Sequence, residues 1–212
     1  ASAIAAVVRA ELGRTPQQLF STWSATPLAA ASLGQVHAAT DADGTAWAVK
    51  VQYPGIAEAL AADVASDGFV RRLAGLPLGR SLSTASLATL RAAIVGELDY
   101  RAEADALERA GRAWAGDPVI AIPEVVRAHT TRRVLTMTRA PGVPIAELPA
   151  GDRALHAEVA MAIVRFAWGT PCNHGFLNAD PNPGNYLVET GDATRVWFLD
   201  FGCTVEIDET IA

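Results

Sequence analysis

The sequence predicts an α+β fold of two lobes: a β-rich first lobe with extra helices, and a partial helical second lobe. Three observations point there. Apolar spacing is helical over 2–12, reads as strand–turn–strand over 27–55, and turns helical again from 56. The segment APGVP at 140–144 breaks the chain. Beyond it, a helical stretch at 150–170 precedes short apolar strands separated by polar loops. The expected division is a first lobe over 1–139 and a partial second lobe over 140–212, with a ligand in the cleft between them.

The elements follow in order. SAIAAVVRAEL reads as a helix closed by Gly13. Thr15, Pro16 and Gln18 form a capping-box start for a second helix running towards Trp23. A first strand is expected around Gly34–Ala39, a turn at DADG, and a second strand over Thr45–Gln52 ended by Pro54-Gly55. Helices are expected over 56–75 and 84–114, the latter striped by Leu87, Leu90, Ile94 and Leu98. Residues 119–138 read as strands.

Composition narrows the function classes. Half of the 212 residues are hydrophobic and 19% are charged, which suits a globular chain with a sizeable core. Net charge is −6 and no basic run exceeds two residues, so nucleic acid is not an expected partner. Cys172 and Cys203 are too few and too far apart for a disulfide framework, and a reducing compartment is the expectation. Cys172 with His174 offers too few ligands for a metal. The five Trp residues are expected to pack core and lobes. No apolar run reaches the roughly 18 residues of a membrane span.

The chemistry lies in four stretches. Asp180 opens DPNPGN, Asn185 comes five residues later, and Asp200 begins DFG fifteen beyond that, after the apolar run Val196–Leu199. Each piece alone would pass for a turn. Together they follow the protein-kinase order, in which the first Asp faces the acceptor hydroxyl while Asn and the second Asp hold Mg²⁺. Oxygen ligands suit that ion. Lys50, the only Lys in the chain, sits in WAVKVQ, like the strand Lys that contacts the α and β phosphates. A glycine-rich phosphate loop should precede it. The matching frame here is Ala29-x-Ala31-x-x-Gly34-x-Val36, in which two of three glycines have become Ala, so the loop should be stiff. In GELDYRAEADALER, Asp99 and Glu103 are spaced to share a helix face, and Glu103 is the expected counter-ion of Lys50. The expected site is thus Asp180, Lys50 and Glu103 for catalysis, Asn185 and Asp200 for metal, and Ala29, Ala31, Gly34, Val36 and Ala48 beside Lys50 for nucleotide.

PLAAASLGQVHAA, AVKVQYPGI, ELDYRAEA and ADPNPGN…FLDFG together resemble the UbiB/AarF/ADCK family of atypical kinase-like proteins, over about residues 11–207. The resemblance implies a protein-kinase-like fold that binds ATP or ADP with Mg²⁺ and acts as a small-molecule kinase or ATPase. It also implies a role in isoprenoid quinone (ubiquinone) biosynthesis or lipid handling. The acceptor would then be a small molecule or lipid, in the cytoplasm or peripherally at a membrane. Glu97 and Asp99 would be the family's E-x-D near the nucleotide, and Thr136–Ala140 the hinge that reads adenine. Two departures stand out. The family's K-x-G-Q motif is absent, so the sequence reads as a fragment lacking that region and most of the second lobe. Asn178 and Asn182 stand where many relatives show His. The stiff Ala loop keeps one rival reading open, a catalytically weak nucleotide- or lipid-binding pseudokinase scaffold. An aminoglycoside- or choline-type kinase is disfavoured by the Ala loop and the E-x-D.

Overall fold

Alternation along one strand divides the core into two layers. The computed structural model describes residues 2–65, 96 and 98–207. In β3 (Ala46–Gln52), Trp47, Val49 and Val51 face one side, and Ala48, Lys50 and Gln52 face the other. Helix α1 (Ser2–Leu12) lays Ile4, Val7 and Val8 on the first side, a stripe at helical spacing. The opposite side faces α4 (Tyr100–Ala113), which buries Tyr100, Glu103, Ala104, Leu107 and Ala110.

The first sheet is antiparallel, in the order β1 (Thr22–Ala31), β2 (Gly34–Thr40), β3 and β5 (Val134–Thr138). Strand β1 lies where the sequence suggested a helix running into an Ala loop. Helix α2 (Pro16–Leu19) lasts only one turn, although Gln18 caps it by accepting the Thr15 N–H at 2.9 Å. As a sheet edge, β1 can accommodate Pro27, and its largely exposed residues carry no period-two pattern to read. The Ala frame is therefore the end of a hairpin: Ala31 pairs with Gly34 across the two-residue turn Ser32-Leu33. Gly34 has a steric reason to be Gly, because a Cβ there would stand 2.1 Å from the Val51 carbonyl oxygen.

Helix α3 (Ile56–Ala65) follows β3. The remainder of its expected span, and Leu87, Leu90 and Ile94, lie outside the described residues. The expected helical span is interrupted at Leu98 and Asp99, after which α4 begins. Asp99 is its N-cap, with its carboxylate accepting the Arg101 N–H at 3.0 Å, and Leu98 lies in the turn ahead. Asp99 and Glu103 therefore share no helix face. The expected strand run at 119–138 yields only β4 (Ile120–Ala121), a short 3₁₀ turn at Arg127–His129, and β5.

The second sheet runs β4, β9 (Arg195–Phe198), β8 (Tyr186–Glu189) and β6 (Val143–Pro144), with β4 parallel to β9. Helix α5 (Arg153–His174) packs beneath, burying Val159, Ala162, Phe166 and Thr170, and Phe166 stacks on Phe198 at 4.0 Å. A two-stranded pair joins β7 (Phe176–Asn178) to β10 (Thr204–Glu206). Of the Trp residues, Trp114 packs on Phe166, whereas Trp168 is 70% exposed, against the expectation of a packing role.

Candidate active site

Three charged side chains from distant parts of the sequence meet between the two sheets. Strand β3 presents Lys50, α4 presents Glu103 from its first turn, and the end of β9 delivers Asp200. Lys50 Nζ donates to Glu103 Oε1 at 2.7 Å, Glu103 Oε2 at 2.9 Å and Asp200 Oδ2 at 3.1 Å. The ammonium also lies 5.1 Å from the Tyr100 ring centre. Lys50 and Glu103 are buried, while the Asp200 side chain keeps 30% of its surface open.

One ammonium thus faces two carboxylates. Burial alone would discharge Lys50, but Glu103 and Asp200 outweigh it and hold its pKa well above the ordinary value. Glu103 moves the other way from most paired carboxylates. Burial, with Asp200 adding to it, pushes it up to about 7 against the pull of Lys50. The excess negative charge of the triad makes this reasonable, since the buried carboxylate is the one that gains most from a proton.

The catalytic-type loop lies alongside. Asn185 Nδ2 donates to Asp180 Oδ2 at 2.8 Å, so the expected pair is in contact. Asn178, noted in the sequence only as a departure, bridges the two acidic segments. Its Nδ2 donates to the Asp200 carbonyl at 2.7 Å, and its Oδ1 accepts the Asp180 N–H at 3.2 Å. The Gly202 N–H donates to Asp200 Oδ1 at 2.9 Å, orienting that carboxylate.

A cleft of about 520 Å³ is lined by Ala29, Ala31, Val36, Ala48, Lys50, Asp180, Asn185 and Asp200, with Met137–Ala140 along it. That volume suits a small-molecule ligand. A pocket of about 100 Å³ continues it past Lys50, Glu103, Asp180 and Asp200, under Ser32 and Leu33 at the hairpin tip. Eight of the expected positions reach the cleft and Glu103 reaches the adjoining pocket. Gly34 lies buried at the start of β2 in the hairpin and lines neither. Asp99 lines neither; its carboxylate is held by the Arg101 guanidinium at 2.6 and 2.9 Å. Glu97 lies outside the described residues. A larger cavity of about 920 Å³, around Trp114 and Trp197, shares Thr138 with the cleft and contains none of the charged site groups.

The donor set fits Mg²⁺ bound with phosphate. Among the described residues no three His, Cys, Asp or Glu side chains cluster into a metal site. Asp200 and Asn185 both line the cleft with side-chain oxygens to offer, and Mg²⁺ commonly takes one or two protein carboxylates and completes its shell with phosphate and water.

A small antiparallel sheet whose Lys is ion-paired to a helix Glu, over a loop-borne Asp, Asn and DFG, defines a protein-kinase-like protein. The chain belongs to the ABC1 atypical kinase-like domain family, which it matches over residues 1–212. It is 34% identical over 93% of its length to the mitochondrial atypical kinase COQ8B of Rattus norvegicus, and 33% identical over 93% to the mitochondrial atypical kinase COQ8 of Saccharomyces cerevisiae. It spans 37% and 39% of those proteins. Among solved structures it resembles Rv3197 of Mycobacterium tuberculosis in complex with erythromycin, at a TM-score of 0.78 and 30% identity, covering 97% of this chain and 52% of that one. Rio2 kinase of Chaetomium thermophilum, solved with ADP, Mg²⁺ and phosphoaspartate, shares the fold at a TM-score of 0.53 and 17% identity, covering 97% of this chain and 53% of that one. Among the described residues no helix is long and apolar enough to cross a membrane.

Proposed function

We propose that the chain carries the nucleotide site of an ATP- and Mg²⁺-dependent atypical kinase or ATPase of the UbiB/AarF type, serving isoprenoid quinone or lipid metabolism. The observation that carries the reading is Lys50, held by Glu103 and Asp200 at the floor of a ligand-sized cleft. A compact ammonium there can turn the N–H it now gives Asp200 towards a phosphate oxygen while Glu103 keeps hold of it. Asp180, oriented by Asn185, would accept the proton of an acceptor hydroxyl or water as its oxygen bonds to the γ-phosphorus and the bond to the ADP oxygen breaks. Asn185 and Asp200 would hold Mg²⁺, which supplies charge to offset the phosphate oxygens. Met137–Ala140 line the cleft, where they would read an adenine ring.

The second reading, a nucleotide- or lipid-binding scaffold without turnover, draws on Ala29–Ala31. They form a paired strand end over the cleft, which is stiffer than a glycine loop. ATP turnover by the full-length protein, with and without Mg²⁺ and lipid vesicles, beside Asp200→Asn, separates the two. Mg²⁺-dependent turnover lost in the variant supports the enzyme. Binding without turnover under every condition supports the scaffold. Absence of nucleotide binding removes both.

A further inference from the structure

Gln52 lies two residues beyond Lys50 on the same face of β3 and is fully buried. Its Nε2 donates to the Leu98 carbonyl at 2.8 Å and to the Arg132 carbonyl at 3.3 Å. The Arg132 carbonyl also accepts the N–H of Tyr100, the first residue of α4, at 3.0 Å. One amide therefore joins three segments: the strand that carries Lys50, the turn that launches the helix carrying Glu103, and the approach to β5. Its other atom, Oε1, is buried with no hydrogen-bond partner among the described residues. A buried acceptor left unmatched is costly. An apolar side chain of the same length would avoid that cost, so what the amide adds is its donor to two carbonyls.

We propose that Gln52 is the positioning residue that sets how Lys50 meets Glu103, by anchoring the start of α4 to the strand bearing the Lys. Its consequence for ligand binding rests on the nucleotide reading of the cleft; its consequence for the ion pair does not. Lys50 faces Glu103, Asp200 and Tyr100. Without the anchor, α4 sits farther from β3 on average and Lys50 loses its bidentate partner.

The test uses Gln52→Leu and Gln52→Met in the full-length protein, with folding checked by circular dichroism. The first readout needs no nucleotide: acetylation of Lys50 by acetic anhydride at one fixed pH, located by peptide mass. Lys50 is buried against α4 in the parent, so loosening α4 opens it to the reagent and both variants should acetylate at least three times faster than the parent. The second readout is Mg-ADP affinity, which should weaken about tenfold. Acetylation rates matching the parent in a folded variant overturn the proposal. A parent that binds no Mg-ADP removes the nucleotide reading, while the acetylation rate still decides the role of Gln52. If Gln52→Leu fails to fold, the unbranched Met side chain decides; collapse of both variants means that Gln52 serves stability and overturns the positioning role.

Discussion

Lys50 and Glu103 stand 53 residues apart in sequence, yet the ammonium donates to both oxygens of the carboxylate, at 2.7 and 2.9 Å, in a buried contact. This bidentate contact joins the first sheet to α4 beside the pocket that continues the cleft. Glu103→Ala removes the partner in either protonation state and leaves a buried ammonium with Asp200 alone. Breaking a buried pair from one side costs about 3 kcal/mol. Denaturant midpoints should fall accordingly, whereas an unchanged midpoint would mean that the pair contributes nothing.

The same carboxylate gives stability a pH slope. Glu103 is pushed up to about 7 in the folded chain from an ordinary value of 4.5. Between those values the folded chain holds the proton and the unfolded chain has lost it, so unfolding free energy falls as pH rises. In Mg²⁺-free buffer, stability relative to Glu103→Gln should decline from about pH 4.5 to 7. Parallel curves for the two proteins would place Glu103 in an ordinary environment.

Gly34→Ala tests the hairpin. The added methyl would meet the Val51 carbonyl oxygen at 2.1 Å, and that oxygen belongs to backbone. Forcing β2 away from β3 should cost about 2 kcal/mol or more and weaken nucleotide binding through the displaced Ala29–Val36 wall. A thermal midpoint equal to that of the parent would show that the strands separate freely.

Asn178→Ala removes the bridge between the Asp200 carbonyl and the Asp180 N–H. The lost hydrogen bonds should cost about 1–2 kcal/mol, and Mg-ADP affinity should fall more than affinity for ADP alone. Equal losses with and without the metal would assign Asn178 to loop folding only.

The long-range convergence was more legible in the sequence than the local geometry. That Lys50, Glu103, Asp180, Asn185 and Asp200 come together could be read because few residue types suit each place and the spacing is strict. Strand β1 was hidden by Pro27 and the Ala run, since an edge strand with little burial leaves no alternation to read. Asp99 reads as a neighbour of Glu103 on the helix face because a cap and an interior position look alike until the first turn is located. Gly34 reads as part of a phosphate loop, while the reason it must be Gly is the neighbouring strand β3. Asn178 and Gln52 gave no signal because amides acting on backbone carbonyls have no characteristic spacing.

Lys50→Arg addresses the central claim most directly. The charge stays, but the planar guanidinium is longer and cannot occupy a three-way nest with contacts of 2.7–3.1 Å. Mg-ADP and Mg-ATP affinities should be measured by calorimetry for the parent and this variant. The account predicts Mg²⁺-dependent binding by the parent and at least a tenfold loss, about 1.4 kcal/mol, in the variant. A variant that binds and turns over ATP like the parent would reduce Lys50 to an ordinary strand residue and contradict the account.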